Sequence, residues 1–174
     1  MATDLRYPIG RDIAPAQTSP AERAARIGAI GSLPAELRAA VTGLSDAQLD
    51  TPYRPGGWRV RQLVHHIADS HANGYIRLKL ALTEPNPTIK PYAEAPWAEL
   101  PDSALPIELS LRLVDGIHER WATILRSLTP AHFTLTYQHP ERGSLTLDVA
   151  LASYVWHGRH HTAHITELRT RKGW

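Results

Sequence analysis

The chain has 174 residues, of which 43% are hydrophobic and 21% are charged, and this composition fits one globular domain over residues 1–174. Nineteen basic and 17 acidic side chains leave a formal charge of +2, which gives no support to a nucleic-acid partner. No segment approaches the roughly 18 apolar residues of a membrane span, and the N-terminal residues lack the apolar core of a signal peptide. We therefore expect a cytoplasmic protein without a membrane partner. The absence of cysteine excludes disulfides and thiolate metal ligands.

The first two segments are predicted to be an N-terminal extended segment over residues 1–18 and a long helix over residues 19–44. A serine followed by a proline is a typical helix start. Pro34 predicts a break or bend in this helix near Ser32, because proline lacks the backbone N–H that continues the hydrogen-bond ladder. Glycines 56 and 57 then indicate a loop before the next helix.

A second helix is predicted over residues 58–82, and a proline-rich crossover follows over residues 83–106. The crossover contains six prolines, which exclude a regular helix or a central strand. Long ordered loops of this kind tend to form a pocket wall, so we expect the crossover to border the functional site. Tyr92 and Trp97 are expected to anchor it by packing and to shape access to that site.

The C-terminal part of the chain predicts a third helix over residues 107–128, a small hairpin over residues 133–147 and a last helix over residues 147–171. The third helix carries apolar residues at helical spacing, namely Leu109, Leu113, Ile117, Trp121 and Leu125. Alternating residues around a Pro-Glu-Arg-Gly turn indicate the hairpin. Four long helices favour an all-α four-helix bundle with a proline-rich crossover and a small hairpin before the last helix.

The last helix contains two overlapping His-x-x-x-His pairs, and residues four apart on a helix can offer two imidazoles to one metal ion. At about 100° per residue, His157 and His161 lie in or beside the apolar stripe of the helix. His160 lies roughly 100° from the centre of that stripe and His164 roughly 60° from it. The pattern therefore predicts that His157 and His161 face the core and share a metal ion, which satisfies two imidazoles at once.

A third ligand is expected from the second helix, which offers His66 and His71. His71 shares the apolar stripe of that helix, whereas His66 lies on a neighbouring polar stripe that also includes Asn73 and Arg77. This polar stripe is either a solvated face or the wall of a site, so the pattern leaves both histidines open. The remaining isolated histidines are expected on the surface, namely His118, His132 and His139.

Several motifs resemble the YfiT branch of the DinB superfamily along nearly the whole chain. They are Tyr-Arg-Pro-Gly-Gly-Trp at residues 53–58, His-His and Ala-Asp-Ser-His within residues 65–71, and Tyr-Val-Trp-His at residues 154–157 with the histidines that follow. Members of this branch are described as metal-dependent hydrolases, and some relatives transfer the thiol bacillithiol. The resemblance implies a four-helix bundle, a homodimer, and a metal site with one histidine from the second helix and a pair from the last.

Carried onto this sequence, the family pattern implies His66, His157 and His161 as metal ligands and His164 as a residue that supports them. One Zn²⁺ per chain is expected, with Ni²⁺ as the alternative, because imidazole suits both ions. Asp69 and Glu167 are the acids nearest to the ligands in the sequence, and are weak candidates for a catalytic base.

Three hypotheses for function follow. The first is metal-dependent hydrolysis of a small-molecule substrate, and the second is metal-dependent transfer of a low-molecular-weight thiol such as bacillithiol. The third is a non-catalytic dimeric bundle with a structural metal, although structural zinc usually takes four protein ligands. The sequence favours an enzyme and does not choose between hydrolysis and thiol transfer.

Overall fold

The computed structural model describes residues 4–174 and consists mainly of helices. The elements are α1 (Pro20–Val41), α2 (Asp46–Leu49), α3 (Val60–Thr83), α4 (Glu94–Ala98), α5 (Glu108–Ser127), β1 (Thr136–His139), β2 (Gly143–Thr146) and α6 (Leu147–Lys172). The part of the expected extended segment that is described, residues 4–18, contains turns and no helix or strand, and residues 1–3 lie outside the described residues.

The four long helices form a bundle in which α1 and α3 each pack against both α5 and α6. Helix α1 therefore lies diagonally opposite α3, although these two long helices follow one another along the chain. This arrangement confirms the predicted four-helix bundle. It also places α3 and α6, which carry the clustered histidines, side by side.

Helix α1 is continuous from Pro20 to Val41, so the first of the two predicted possibilities near Ser32, a break, is wrong. Ser19 begins the helix with a capping box shared with Glu22. Pro34 lies inside the helix and lacks the N–H that would bond to the carbonyl oxygen of Ile30, four residues earlier. That oxygen instead accepts a hydrogen bond from Nδ1 of His118, 2.5 Å away on α5. A donor from another helix thus compensates for the missing intrahelical bond.

The proline-rich crossover is ordered, and it contains more helix than the sequence predicted. The short helix α4 includes Pro96, and a 3₁₀ turn covers Pro101–Ala104. Both prolines are in the first turn of their element, where a missing N–H costs no hydrogen bond. The expectation that the crossover excludes regular helix is therefore wrong for these two short pieces. Gln62 on α3 holds the crossover in place by donating to the carbonyl oxygen of Ala98 at 2.8 Å.

Helix α5 is rotated relative to the stripe that the sequence predicted. Leu109 and Leu113 are 45% and 49% exposed, while Trp121 and Leu125 are buried as expected. The face turned to the bundle instead contains Ser110, Leu111, Val114 and His118. The apolar pattern was misleading because the buried polar side chains on this face have hydrogen-bond partners, which removes most of the cost of burying them.

The predicted hairpin is present, and it leads directly into α6. Strands β1 and β2 pair antiparallel, with Tyr137 opposite Leu145, and both of these side chains are buried against the bundle. Thr146 then caps α6 by accepting a hydrogen bond from the backbone N–H of Val149. The hairpin therefore sets the start of the helix that carries His157 and His161.

Among residues 4–174, no helix has the length and apolar character needed to cross a membrane. The homodimer implied by the family resemblance stays a prediction.

Candidate metal centre

Three imidazole rings from two helices meet at the surface between α3 and α6. Nε2 of His157 lies 3.2 Å from Nε2 of His66 and 3.1 Å from Nε2 of His161. One ligand nitrogen from each of the three side chains lies within 4.8 Å of the other two. The structure thus brings together the three residues that the family pattern implied as ligands.

The spacing of these nitrogens fits a divalent metal ion. In a tetrahedral zinc site with Zn–N distances of about 2.0–2.1 Å, neighbouring ligand nitrogens are about 3.3 Å apart. Burial lowers the pKa of His66 to about 4. Burial, followed by the neighbouring imidazoles, also lowers the pKa of His157 and His161. All three rings are therefore neutral near pH 7, and this is the form that binds metal.

The polar stripe of α3 forms the wall of a site and is not a solvated face. His66, Gln62 and Ser70 on this stripe are all buried, and Ser70 Oγ lies 3.5 Å from Nε2 of His157. His71 points to the other side of His157, with its Nε2 3.1 Å from Nδ1 of that ring. His71 is therefore a partner of a candidate ligand and is not itself one of the three.

The second His-x-x-x-His pair on α6 is also buried, contrary to the expectation that His160 points away from the core. His160 is 7% exposed because Trp156 stacks on its ring, with the ring centres 4.3 Å apart. Its Nε2 lies 3.1 Å from Nε2 of His164, and these two residues form a second imidazole group with His161. His164 packs against Tyr53 and makes no hydrogen bond to the first group.

The positive charge of Arg54 affects this second group. Burial first, and then Arg54, lowers the pKa of His160. A cation bound at His160 and His164 would therefore have to overcome charge repulsion. The first group is the better candidate for a metal site.

Two of the three histidines expected on the surface are buried. His118 is fully buried, and His139 is 9% exposed, so the surface expectation is wrong for both. His118 lies on the same face of α5 as Val114, Trp121 and Leu125, which are four, three and seven residues away from it in the sequence. This helical spacing is a signal in the sequence that could have predicted its burial. His132 is partly exposed, and its Nδ1 accepts a hydrogen bond from the backbone N–H of Thr129 at 3.1 Å.

An open cleft of about 440 Å³ exposes the three imidazoles. Its walls include Trp58, Trp156, Arg54 and Glu94 in addition to the histidines. The Nε of Arg54 is buried and has no hydrogen-bond partner among the described residues. Glu94 is exposed as a whole, but partial burial of its carboxyl group in the cleft wall raises its pKa. Neither Arg54 nor Glu94 was predicted from the sequence as a site residue, although Arg54 lies in the loop before α3 and Glu94 lies in the crossover, where functional residues are common.

A second cavity of about 240 Å³ shares His157, Glu94 and Trp156 with the cleft. Arg77 lines this second cavity and donates a hydrogen bond to Tyr154 Oη at 3.0 Å. Asn73, in contrast, donates to the backbone carbonyl oxygen of Asp69 on its own helix. Of the two residues, the structure thus places only Arg77 beside the site.

The two acids closest to the ligands in the sequence do not line the cleft. Burial, followed by repulsion from Asp102, raises the pKa of Asp69 to about 6. Glu167 is exposed and lies in a separate depression with His164 and Arg171. The acid that lines the same cleft as the three imidazoles is instead Glu94.

Tyr92 and Trp97 pack against each other within the crossover, with their ring centres 4.5 Å apart. This contact joins the residues just before α4 to that short helix. The hydroxyl group of Tyr92 is buried without a hydrogen-bond partner among the described residues, and burial raises its pKa. Trp97 remains 38% exposed. The crossover borders the cleft as expected, but through Glu94 and not through these two rings.

Comparison with known proteins gives consistent matches over most of the chain. The model of the DinB superfamily matches residues 29–165. Relatives from Bacillus mycoides and Bacillus cereus, each named "Putative metal-dependent hydrolase", are 55% identical over 171 residues, which is 98% of this chain and 99% of each relative. The structure of YfiT from Bacillus subtilis, described as "a probable metal-dependent hydrolase with an unusual four-helix bundle topology", is 48% identical, covers 99% of both chains and superposes with a TM-score of 0.96.

Proposed function

Because the chain belongs to the DinB superfamily and presents three imidazole nitrogens to an open cleft, we propose that it is a metal-dependent hydrolase of small molecules. His66, His157 and His161 hold one divalent ion, with Zn²⁺ first and Ni²⁺ as the alternative. The observation that carries the proposal is the mutual spacing of 3.1 and 3.2 Å among neutral Nε2 atoms. Three protein ligands also match the number found in catalytic zinc sites, which keep a position open.

An ion held in this way supplies Lewis acidity, which lowers the pKa of a water molecule and polarises an acyl oxygen. The protein supplies the remaining functions from the walls of the cleft. Glu94 accepts the proton of the attacking water at its carboxylate, since it is the acid that lines the same cleft as the three histidines. Its raised pKa brings proton transfer closer to neutral pH.

Arg54 gives the cleft a preference for an anionic group. Arg54 lines the cleft, and its Nε is buried without a hydrogen-bond partner among residues 4–174. A substrate carboxylate can bind a guanidinium through charge-assisted hydrogen bonds. We therefore expect the substrate to be a small amide or ester that carries a negative charge.

The charge of Arg54 also favours a second candidate function, the transfer of a low-molecular-weight thiol. A cationic wall stabilises a thiolate, and the chain has no cysteine of its own to compete for the metal. This function would use the same three histidines, and the substrate would provide the nucleophile.

An activity screen on zinc-loaded protein tests these proposals. Anionic amides and esters are offered alone and, in parallel, a thiol is offered with an electrophile. Hydrolysis that is lost on chelation supports the first function, and thiol conjugation without hydrolysis supports the second. If neither activity is observed and no added anion can contact the metal ion, the metal is structural and both proposed functions are contradicted.

The role of Glu94 is tested with Glu94→Gln, which removes the proton acceptor while it keeps the size of the side chain. We expect the turnover number to fall about 100-fold, the typical contribution of a general base. Glu84→Gln is the matched control, because Glu84 is an exposed residue at the C-terminal end of α3 and lines neither cavity. Equal turnover in the two variants would exclude Glu94 as the base.

A further inference from the structure

The candidate ligand His157 begins a continuous chain of hydrogen-bonded imidazoles that continues through the fully buried His71 and His118. Nδ1 of His157 lies 3.1 Å from Nε2 of His71, and Nδ1 of His71 lies 2.8 Å from Nε2 of His118. Nδ1 of His118 lies 2.5 Å from the carbonyl oxygen of Ile30. The chain includes one residue from each of the four long helices.

The carbonyl oxygen at the end of the chain determines the direction of every bond. A carbonyl oxygen only accepts, so Nδ1 of His118 carries the proton and donates to Ile30. A neutral imidazole has one donor and one acceptor nitrogen, so Nε2 of His118 accepts from Nδ1 of His71. By the same reasoning, Nε2 of His71 accepts from Nδ1 of His157. This leaves Nε2 of His157 without a proton and with its lone pair directed towards Nε2 of His66 and His161.

We propose that His71 and His118 are positioning residues that hold His157 in the tautomer that binds metal through Nε2, and that Pro34 makes this possible by freeing the carbonyl oxygen of Ile30. The inference rests on the proposed metal centre. It assigns a role to two buried histidines outside that centre. Metal ligands of the histidine type usually donate their second N–H to a carboxylate or a carbonyl. Here two further imidazoles extend that link to the opposite side of the bundle.

Pro34 explains why a backbone carbonyl inside a helix is available as an acceptor. In an uninterrupted helix the oxygen of Ile30 would accept the N–H of residue 34, but proline has none. A buried carbonyl without a donor is costly, so the bond from His118 stabilises α1 as well as the imidazole chain.

Packing prevents the rings of the chain from turning. The rings of His71 and His118 lie edge to edge, with 22° between their planes and their centres 4.9 Å apart. Trp121 and Tyr154 each contact the His71 ring edge-on, at 5.9 and 5.5 Å between ring centres. Because both His71 and His118 are fully buried, an imidazolium in this chain would be strongly disfavoured. The stable state is therefore a chain of neutral imidazoles whose hydrogen bonds all run in the same direction.

The first test is a tautomer measurement on metal-free protein that carries ¹⁵N-labelled histidine. Long-range ¹H–¹⁵N correlation spectra near pH 7.5 distinguish the two neutral tautomers from each other and from the imidazolium. We expect the Nδ1–H tautomer for His71, His118 and His157. An Nε2–H tautomer at His157, or an imidazolium at His71, would overturn the proposal. This test needs no variant and no metal.

The second test compares zinc affinity in three variants. His118→Leu removes the imidazole that is two hydrogen bonds away from the ligand His157. We expect zinc to bind about 10- to 100-fold more weakly, which is the usual effect of removing such a partner. His118→Gln offers an amide N–H for Ile30 and an oxygen for His71, so it should restore most of the affinity. His65→Leu is the control, because His65 is a buried histidine with two hydrogen bonds, to Ser110 Oγ and the oxygen of Leu105, outside the chain.

Equal zinc affinity in His118→Leu and His65→Leu would show that His118 contributes packing alone and would overturn the proposal. If His118→Leu does not fold, the tautomer spectra of the unaltered protein still decide the question. Failure of the unaltered protein to bind zinc would contradict the proposed metal centre instead, and the tautomer result would remain interpretable by itself.

Discussion

Gly74 is the position where one added methyl group should disturb the support of the metal centre most directly. A Cβ atom at Gly74 would lie 2.5 Å from Cζ of Tyr154 and 2.6 Å from Cη2 of Trp121. Contacts this short do not occur between real side chains, so both rings would have to move. These are the two rings that contact His71 edge-on. The substitution Gly74→Ala therefore tests whether close packing around this histidine stabilises the fold.

The expected effect is the sum of two opposing contributions. Alanine in place of glycine inside a helix stabilises by about 1 kcal/mol. Overpacking a buried site costs about 1–3 kcal/mol, and two rigid aromatic rings on a single methyl group justify the upper part of that range. We therefore expect Gly74→Ala to lower the free energy of unfolding by about 2 kcal/mol.

Gly116→Ala is the matched control, because Gly116 lies inside α5 and, beyond its chain neighbours and the backbone of its own helix, no atom of the described residues lies within 4 Å of its Cβ position. It should raise the free energy of unfolding by about 1 kcal/mol, so the two variants should differ by about 3 kcal/mol with opposite signs. Urea denaturation of the metal-free proteins measures both values. A Gly74→Ala protein as stable as Gly116→Ala would refute the close packing around His71.

Three further predictions concern acidity, the crossover and assembly. The pKa of His66 is about 6.5 in the unfolded chain and about 4 in the folded protein, so the unfolded state binds more protons between these pH values. As the pH falls from 6.5 to 4, metal-free protein should therefore lose about 3 kcal/mol of its free energy of unfolding from this residue, measured by urea denaturation. Trp97→Ala should lower the melting temperature and leave the turnover of the folded protein unchanged, because Trp97 does not line the cleft. Lost turnover in a stable Tyr92→Ala protein would show that Tyr92 shapes access to the cleft. Sedimentation equilibrium should give twice the mass of one chain, and a monomer at micromolar concentration would contradict the expected homodimer.

The sequence predicted the number, order and approximate limits of the long helices, because helical spacing and proline-glycine loops are local signals. It did not predict the orientation of α5. Leu109 and Leu113 extended the apolar stripe on paper, but the bundle buries the face that carries His118. A hydrophobic pattern assumes that polar side chains avoid the core, and that assumption fails where a partner such as the Ile30 carbonyl lies on another helix.

The same limitation applies to the candidate site. Helical geometry placed His157 and His161 on the inner face of α6, but it placed His160 at the edge, whereas Trp156 covers that ring. The choice between His66 and His71 depends on which neighbour each face of α3 meets, and this is a property of the whole bundle. In the sequence Pro34 predicts a break or bend in the helix, whereas in the structure it lies inside a continuous helix and frees a carbonyl oxygen for His118. These contacts join residues far apart in the chain, so no local pattern contains them.

The central claim, that one divalent ion binds at His66, His157 and His161, is tested most directly by zinc titration of two single variants. His161 belongs to both imidazole groups, whereas His66 belongs only to the first and His160 only to the second, so the last two residues distinguish the groups. The unaltered protein and His160→Ala should each bind one zinc ion with similar affinity, and His66→Ala should bind it more weakly by at least about 100-fold. Retained zinc in His66→Ala together with lost zinc in His160→Ala would contradict this assignment, because the ion would then belong to the second group.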